Sequence, residues 1–326
     1  MSRKFLLVAA AAGVLALGVA ACGDDDDDGS GGGVSGTISI DGSSTVFPFT
    51  QSAGELFKEE NSDVSVNVGQ SGTGGGFEKF CAGETDVNDA SRPIEAEEIE
   101  LCKQGGVSYT EVQVANDGIA VVTNPAIEVS CLTTEQLKQL WNKGSKVQSL
   151  SDIDPSLPDT KLTLFGPDTD SGTFDFFTDT INGEEGVSRE DYQPSADDNV
   201  LVQGVSGSEG GLGYFGFSYY EQNQDALNLV SVDAGEGCIA PSVETIQDGS
   251  YAPLSRPLFM YPSAEKLQSN SALTPFIDYV LDNYQAIAER ALIVPMNDGQ
   301  ATDSKSAFDE FKGGSGGGTA TAETTG

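Results

Sequence analysis

KLTLFGPDTDSGTFDFFTDTING, residues 161–183, runs from strand to turn to helix without a gap. Leu162 and Leu164 alternate with polar neighbours, Gly166-Pro167-Asp168 interrupts the strand, and Phe174, Phe177 and Ile181 recur at helical spacing until Asn182-Gly183 closes the helix. Ser171-Gly172-Thr173 sits at the helix start. There the first backbone N–H groups lack intrahelical partners and the dipole is positive, so small hydroxyl residues can form an anion socket. Taken singly, Ser171 is better explained as a helix cap.

The pattern recurs twice. Residues 37–61 give a short strand with Ile38 and Ile40, a turn Gly42-Ser43-Ser44-Thr45, and a helix carrying Val46, Phe49, Ala53, Leu56 and Phe57, with Pro48 tolerated in its first turn. Residues 64–82 give alternating Val64, Val66 and Val68, a turn of Ser71, Gly72, Thr73 and three more glycines, and a helix carrying Phe77 and Phe80. Three such corners, if they converge, surround one oxyanion with N–H and O–H donors.

Composition narrows the classes. A chain of 326 residues with 38% apolar residues can build two packed lobes. With 16 Lys plus Arg against 51 Asp plus Glu, the formal charge is −35, which argues against a nucleic-acid partner. The chain has no histidine, which removes Ser-His-Asp and Cys-His catalysis and the commonest metal ligand. No metal site and no cofactor are expected. An exported hydrolase of phosphate esters with Ser171 or Ser44 as nucleophile would lack an evident base or Lewis acid, so the chain reads as a binding protein and not an enzyme.

Residues 1–22 read as an export signal, with Arg3 and Lys4, an apolar run, and Cys22 after Val19-Ala20-Ala21 in the manner of a lipobox. An uncleaved anchor helix is the alternative, and either places the protein outside the cytoplasm, held to the membrane. Residues 23–36, with Asp24 to Asp28 and a Gly/Ser run, read as a flexible tether, and residues 313–326 as a matching tail. Cys81, Cys102, Cys131 and Cys238 remain, and an exported chain with four cysteines allows three disulfide connectivities. Cys81 with Cys102 is preferred because each closes a neighbouring helix, leaving Cys131 with Cys238. Residues 109–124 read as two strands broken near Asn116-Asp117-Gly118, and residues 133–142 as a helix opened by a Thr133/Gln136 capping box, with Trp141 in the core. Gly211 to Gly216 matches GxGxxG only formally, since Phe217 to Tyr220 suits a strand end better than a helix. Ser263-Ala264-Glu265-Lys266 matches SxxK formally and reads as a helix start; residues 255–261 read as a returning strand and 275–292 as one final amphipathic helix.

With those residues in view, the chain resembles the phosphate-binding proteins of bacterial ABC phosphate-uptake systems. The marks are Gly42-Ser43-Ser44-Thr45-Val46, the run from Ser71 to Phe77, Ser91-Arg92-Pro93, Ser171-Gly172-Thr173 and Ser255-Arg256-Pro257-Leu258. The resemblance implies an α/β, two-lobed, periplasmic-binding-protein-like fold of type II, each lobe a mixed sheet flanked by helices. Lobe 1 would be residues 37–117 plus 252–312 and lobe 2 residues 118–251. It implies a monomer that holds inorganic phosphate in the interlobe cleft and delivers it to ABC permease subunits. Its ligand turns fall on Ser43, Ser44, Thr45, Ser71, Gly72, Ser171, Gly172 and Thr173. Two departures stand out: Pro167 replaces an arginine four residues before the SGT serine, and Ser91 replaces an aspartate, with Arg92 next to it. Arg92 is therefore expected to supply the positive charge, against the alternative of a surface pair with Glu95. A carboxylate that accepts the phosphate proton would reject sulfate, and Asp89 and Asp117 are the candidates. Sulfate or molybdate are the alternative ligands.

Overall fold

The computed structural model describes residues 34–314. The signal segment with Cys22, most of the tether and most of the tail lie outside those residues. Among the described residues there are eleven strands: β1 (Gly36–Gly42), β2 (Val64–Val68), β3 (Val87–Ala90), β4 (Val112–Thr123), β5 (Cys131–Thr133), β6 (Thr163–Pro167), β7 (Gln193–Ser195), β8 (Gly211–Gly216), β9 (Asn228–Asp233), β10 (Cys238–Ile239) and β11 (Ser255–Pro262). Their main path is β2-β1-β3-β11-β4-β8-β6-β7, with β9 beside β4 and flanked by β5 and β10.

The three strand-to-helix units form as their spacing predicts. β1 leads into α1 (Phe47–Glu60), whose Phe49, Ala53 and Phe57 are buried and whose proline lies in the first turn. β2 leads into α2 (Gly72–Cys81), which buries Phe77 and Phe80. β1 pairs in parallel with both β2 and β3, so the connections between them are helical crossovers. After α3 (Ala96–Gly105) comes α4 (Thr134–Trp141), whose capping box closes through Thr133 and Gln136 as expected, with Trp141 fully buried. β6 leads into α5 (Gly172–Phe177), followed by a π-turn over Thr178–Asn182.

β4 is one uninterrupted strand, which corrects the expected break near Asn116. Its first half pairs with β11, from Val112 to Gly118, and its second half lies between β8 and β9. The polar residues stay in register because each has a partner. Asn116 donates to the Pro295 carbonyl and to Gln300, and Asp117 accepts from Arg256. Gly118 is small because a Cβ there would come within 2.4 Å of Ile246. Buried side chains gather into one large cluster from Ile119 to Leu254 joined by Val294, another from Ile38 to Ala115 and Leu258 to Phe308, and a small one around Phe77, Phe80 and Tyr261.

Three further expectations change. Residues 275–292 are two helices, Leu273–Asp282 and Tyr284–Ala291, separated at Asn283, and a third helix, Asp298–Gly313, extends one residue into the expected tail. Phe217–Glu221 is a short helix where a strand end was expected, although Gly211 to Gly216 is a strand as read. β1 begins at Gly36, inside the expected tether. The disulfides are Cys81–Cys102, between α2 and α3, and Cys131–Cys238, which joins β5 to β10 across β9.

Candidate functional site

Loops that follow the carboxyl ends of β1, β2, β3 and β6 and the amino end of antiparallel β11 meet at one edge of the sheet, the usual position for a ligand in an α/β fold. They enclose a cavity of about 430 Å³. Its walls carry Ser43, Ser44 and Thr45 from the first corner, Ser71 and Gly72 from the second, Arg92 after β3, and Gly172 from the third. Arg256 and Pro257 from β11 line it too, as do Asp175, Asp179 and Glu185. Ser171 and Thr173 do not line it. Ser171 caps its own helix by accepting from the Thr173 N–H at 3.2 Å, the bland role that its position also allowed.

The first corner is fixed from below. Gly42 has φ +138°, and a Cβ on it would lie 2.1 Å from the Asp89 carbonyl, so only glycine lets the backbone pass. The Ser43 N–H donates to that carbonyl at 2.9 Å, and Ser43 Oγ accepts from the Thr45 N–H at 3.2 Å. The second corner is held by Asp41, which the sequence did not flag. Asp41 Oδ1 accepts from both the Ser71 N–H at 2.9 Å and the Ser71 hydroxyl at 2.7 Å, while Lys79 donates to Oδ2 at 2.5 Å. Burial works against the Asp41 charge, but these hydrogen bonds outweigh it and hold the carboxyl below its usual range. Ser71 thus spends both its donors on Asp41, and the second corner presents to the cavity the free amides that open α2, from Gly72 onward.

The two arginines differ in their commitments. Arg92 grips Glu98 through both terminal nitrogens, each at 2.8 Å, and its Nε lies 3.2 Å from Glu95. It stands at the cavity wall and is also the ion pair that was its alternative. Arg256 is the more enclosed, with a side chain 15% exposed. Its Nε donates to Asp117 at 3.2 Å, its Nη2 to Thr45 Oγ1 at 2.7 Å and to the Gly172 carbonyl at 3.3 Å, and its plane lies 3.8 Å from the Phe176 ring centre. Burial works against its charge and Asp117 opposes that. Among the described residues Nη1 has no acceptor, so two donors of the guanidinium remain for a ligand. In the sequence Arg256 stands within a family mark but carries no expected role. The signal for it was that Ser-Arg-Pro occurs twice, at 91–93 and at 255–257, and both arginines reach this cavity.

The first and third corners touch. A Cβ on Gly172 would lie 2.3 Å from Thr45 Oγ1 and 2.6 Å from Ser44 Oγ, so glycine is what allows the two turns to meet. Neither expected proton acceptor lines the cavity. Asp117 is Arg256's partner, and Asp89 is fully buried beneath the first corner, accepting from the Thr50 hydroxyl at 2.7 Å. Among the described residues no group of three or more His, Cys, Asp or Glu is placed to hold a metal ion.

A family model described as a PBP superfamily domain matches residues 29–283. The chain belongs to the PBP superfamily. A phosphate-binding protein PstS of Staphylococcus saprophyticus is 39% identical over 313 residues, covering 95% of this chain and 96% of that protein. A crystal structure described as a possible phosphate binding protein from Planctomyces limnophilus superposes with a TM-score of 0.79 at 41% identity, over 85% of this chain and 99% of that one. A structure assigned to a phosphate ABC transporter substrate-binding protein with bound phosphate, from Clostridium perfringens, superposes with a TM-score of 0.56 at 28% identity, over 80% of this chain and all of that one. The mixed α/β architecture of this PBP-superfamily chain is the one that its resemblance implied. No described helix is long and apolar enough to cross a membrane.

Proposed function

We propose that this chain captures inorganic phosphate outside the cytoplasm and hands it to the permease subunits of an ABC transporter, as a monomer tethered through a lipid on Cys22. The observation that carries this is the convergence on one cavity of three glycine-serine corners and a largely buried arginine with two uncommitted donors. The relatives named for phosphate binding support it. A tetrahedral oxyanion matches amides at helix starts and a planar guanidinium fork, both of which are strong charge-assisted donors.

In this reading Ser43, Ser44, Thr45, Gly72, Gly172 and Arg256 bind the anion directly, Arg92 contributes charge from the rim, and Ser71, Ser171 and Thr173 shape the corners. Residues 37–117 plus 252–312 act as one lobe and 118–251 as the other, joined by β4 and by the segment that leads into β11. Ligand contacts from both sides favour the closed population only when the anion is present.

Titration calorimetry with phosphate tests the reading. One-to-one binding is expected, with Arg256→Ala weakening it at least about 100-fold, because the variant removes charge-assisted hydrogen bonds from a dry site. Arg92→Ala should weaken it by only about tenfold, because Glu98 and Glu95 already hold that charge. Absence of phosphate binding by the native chain, or an Arg256→Ala variant of native affinity, overturns it.

A further inference from the structure

Arg92 and Arg256 show two ways of holding a guanidinium. Arg92 is held by carboxylates, Glu98 on both terminal nitrogens and Glu95 on Nε, so its fork is occupied. Arg256 meets one carboxylate, Asp117 on Nε, and its flat face is covered by the Phe176 ring at 3.8 Å. A ring against that face takes up no N–H, because the donors of a guanidinium all lie in its plane. It fixes the tilt of the plane and leaves the fork to a ligand.

We propose that Phe176 is a positioning residue for phosphate: its ring stacks on Arg256 and aims the uncommitted Nη1 at the bound anion. The inference rests on the cavity being the phosphate site.

The burial of α5 sets Phe176 apart from its neighbours. Phe174 and Phe177 are buried in the manner of core residues at helical spacing, whereas Phe176 is half-buried and lines the cavity beside Arg256. Asp117 and Thr45 hold the edge of the guanidinium, through Nε and Nη2. Those two bonds run in its plane, so its tilt is left to whatever lies against the face. A cation over an aromatic ring gains most where water is excluded, and the Arg256 side chain is 15% exposed. The arrangement also crosses the junction between the two lobes proposed above. Arg256, Asp117 and Thr45 belong to residues 37–117 plus 252–312, and Phe176 and the Gly172 carbonyl to residues 118–251. The stack therefore forms only while the lobes are together, the state that holds the anion. An interaction made in that state alone slows release more than it speeds capture.

Phosphate calorimetry and stopped-flow kinetics, beside thermal melts of the ligand-free chain, test the role of the ring. Phe176→Leu keeps an apolar side chain and removes the aromatic face. It should weaken phosphate binding about tenfold, mostly through faster dissociation, with a melting midpoint close to native. Phe176→Tyr restores a face and should bind within about twofold of native. Arg256→Lys keeps a charge but has no plane to orient, so in that background the leucine substitution should cost less than about threefold. A leucine variant of native affinity, or an equal loss in both backgrounds, overturns the role of Phe176 alone. Should Phe176→Leu fail to fold, a ring-fluorinated phenylalanine at the same position decides the matter, since it keeps the ring's shape and drains the negative charge from its face. Its affinity should fall, and native affinity would overturn the stack. A native chain that binds no phosphate overturns the functional reading and this inference with it.

Discussion

Asp89 is fully buried and has one hydrogen-bond partner, Thr50, for its two oxygens; Oδ1 meets no donor among the described residues. Burial, opposed by Thr50 and aided by the Asp41 charge, pushes its carboxyl up to about 8. The folded state therefore keeps this proton through neutral pH, while the unfolded chain releases it near 3.8. A raised folded value means that the stability Asp89 contributes is complete below about pH 4 and is lost as pH rises through about 8. Asp89→Asn keeps an acceptor for Thr50 and removes the titration. Relative to the native chain it should be more stable by a few kcal/mol, roughly, at pH 8.5 and little different at pH 4, read from urea midpoints at both. A shift of equal size at both pH values would show that the carboxyl does not titrate as described. The same residue shows why the acids that line the cavity were not legible in the sequence. All four residues of β3 are buried, because β1 and β11 flank the strand and both its faces are covered, so alternation along it cannot say which side chain reaches a cavity. Asp175 was hidden differently: at helical spacing it reads as an ordinary first-turn acid.

At the scale of elements, the strand-turn-helix corners were legible because each combines a period-two run, a glycine-rich break and a period-3.6 run. The elements misread were those whose partners lie far away in the chain. Asn116-Asp117-Gly118 has the composition of a turn, yet β11 and residues near 295 and 300 supply its partners, and Asn283 interrupts a helix whose apolar spacing continues past it. What no local pattern could give is the contact between corners. Gly172 lies against Ser44 and Thr45, 127 residues from the latter in sequence, with room for no side chain. Gly172→Ala would place a methyl within 2.3 Å of Thr45 Oγ1, so the first and third corners must separate and the Arg256 bond to Thr45 must lengthen. Phosphate affinity should fall at least about tenfold, since charge-assisted hydrogen bonds are steep in distance, with the unfolding midpoint moving far less than for a substitution in either main core. Calorimetry beside thermal melts would show it. A variant with native affinity would mean that the corners need not touch for the ligand to be held.

At the scale of the whole molecule, local and long-range electrostatics oppose each other. The chain carries a formal charge of −35, and most of its few cations are tied to carboxylates, including both arginines of the cavity. An anion approaching from solvent meets repulsion first and reaches the donors of the corners only inside the cavity. Those donors act over hydrogen-bond distances and are poorly screened, whereas the surface field decays within about 8–10 Å at ordinary salt. Salt should then change the two rate constants unequally. Raising sodium chloride from low to physiological strength screens the repulsive field and should speed phosphate association by severalfold, with dissociation nearly unchanged because it breaks short hydrogen bonds. Stopped-flow fluorescence of Trp141, enclosed against Phe177 and Tyr214 behind the third corner, offers a signal for the measurement. An association rate that falls with salt would mean that Arg92 and Arg256 dominate the field at the cavity mouth, in spite of their partners, and that the acidity of the rest of the surface has no part in capture.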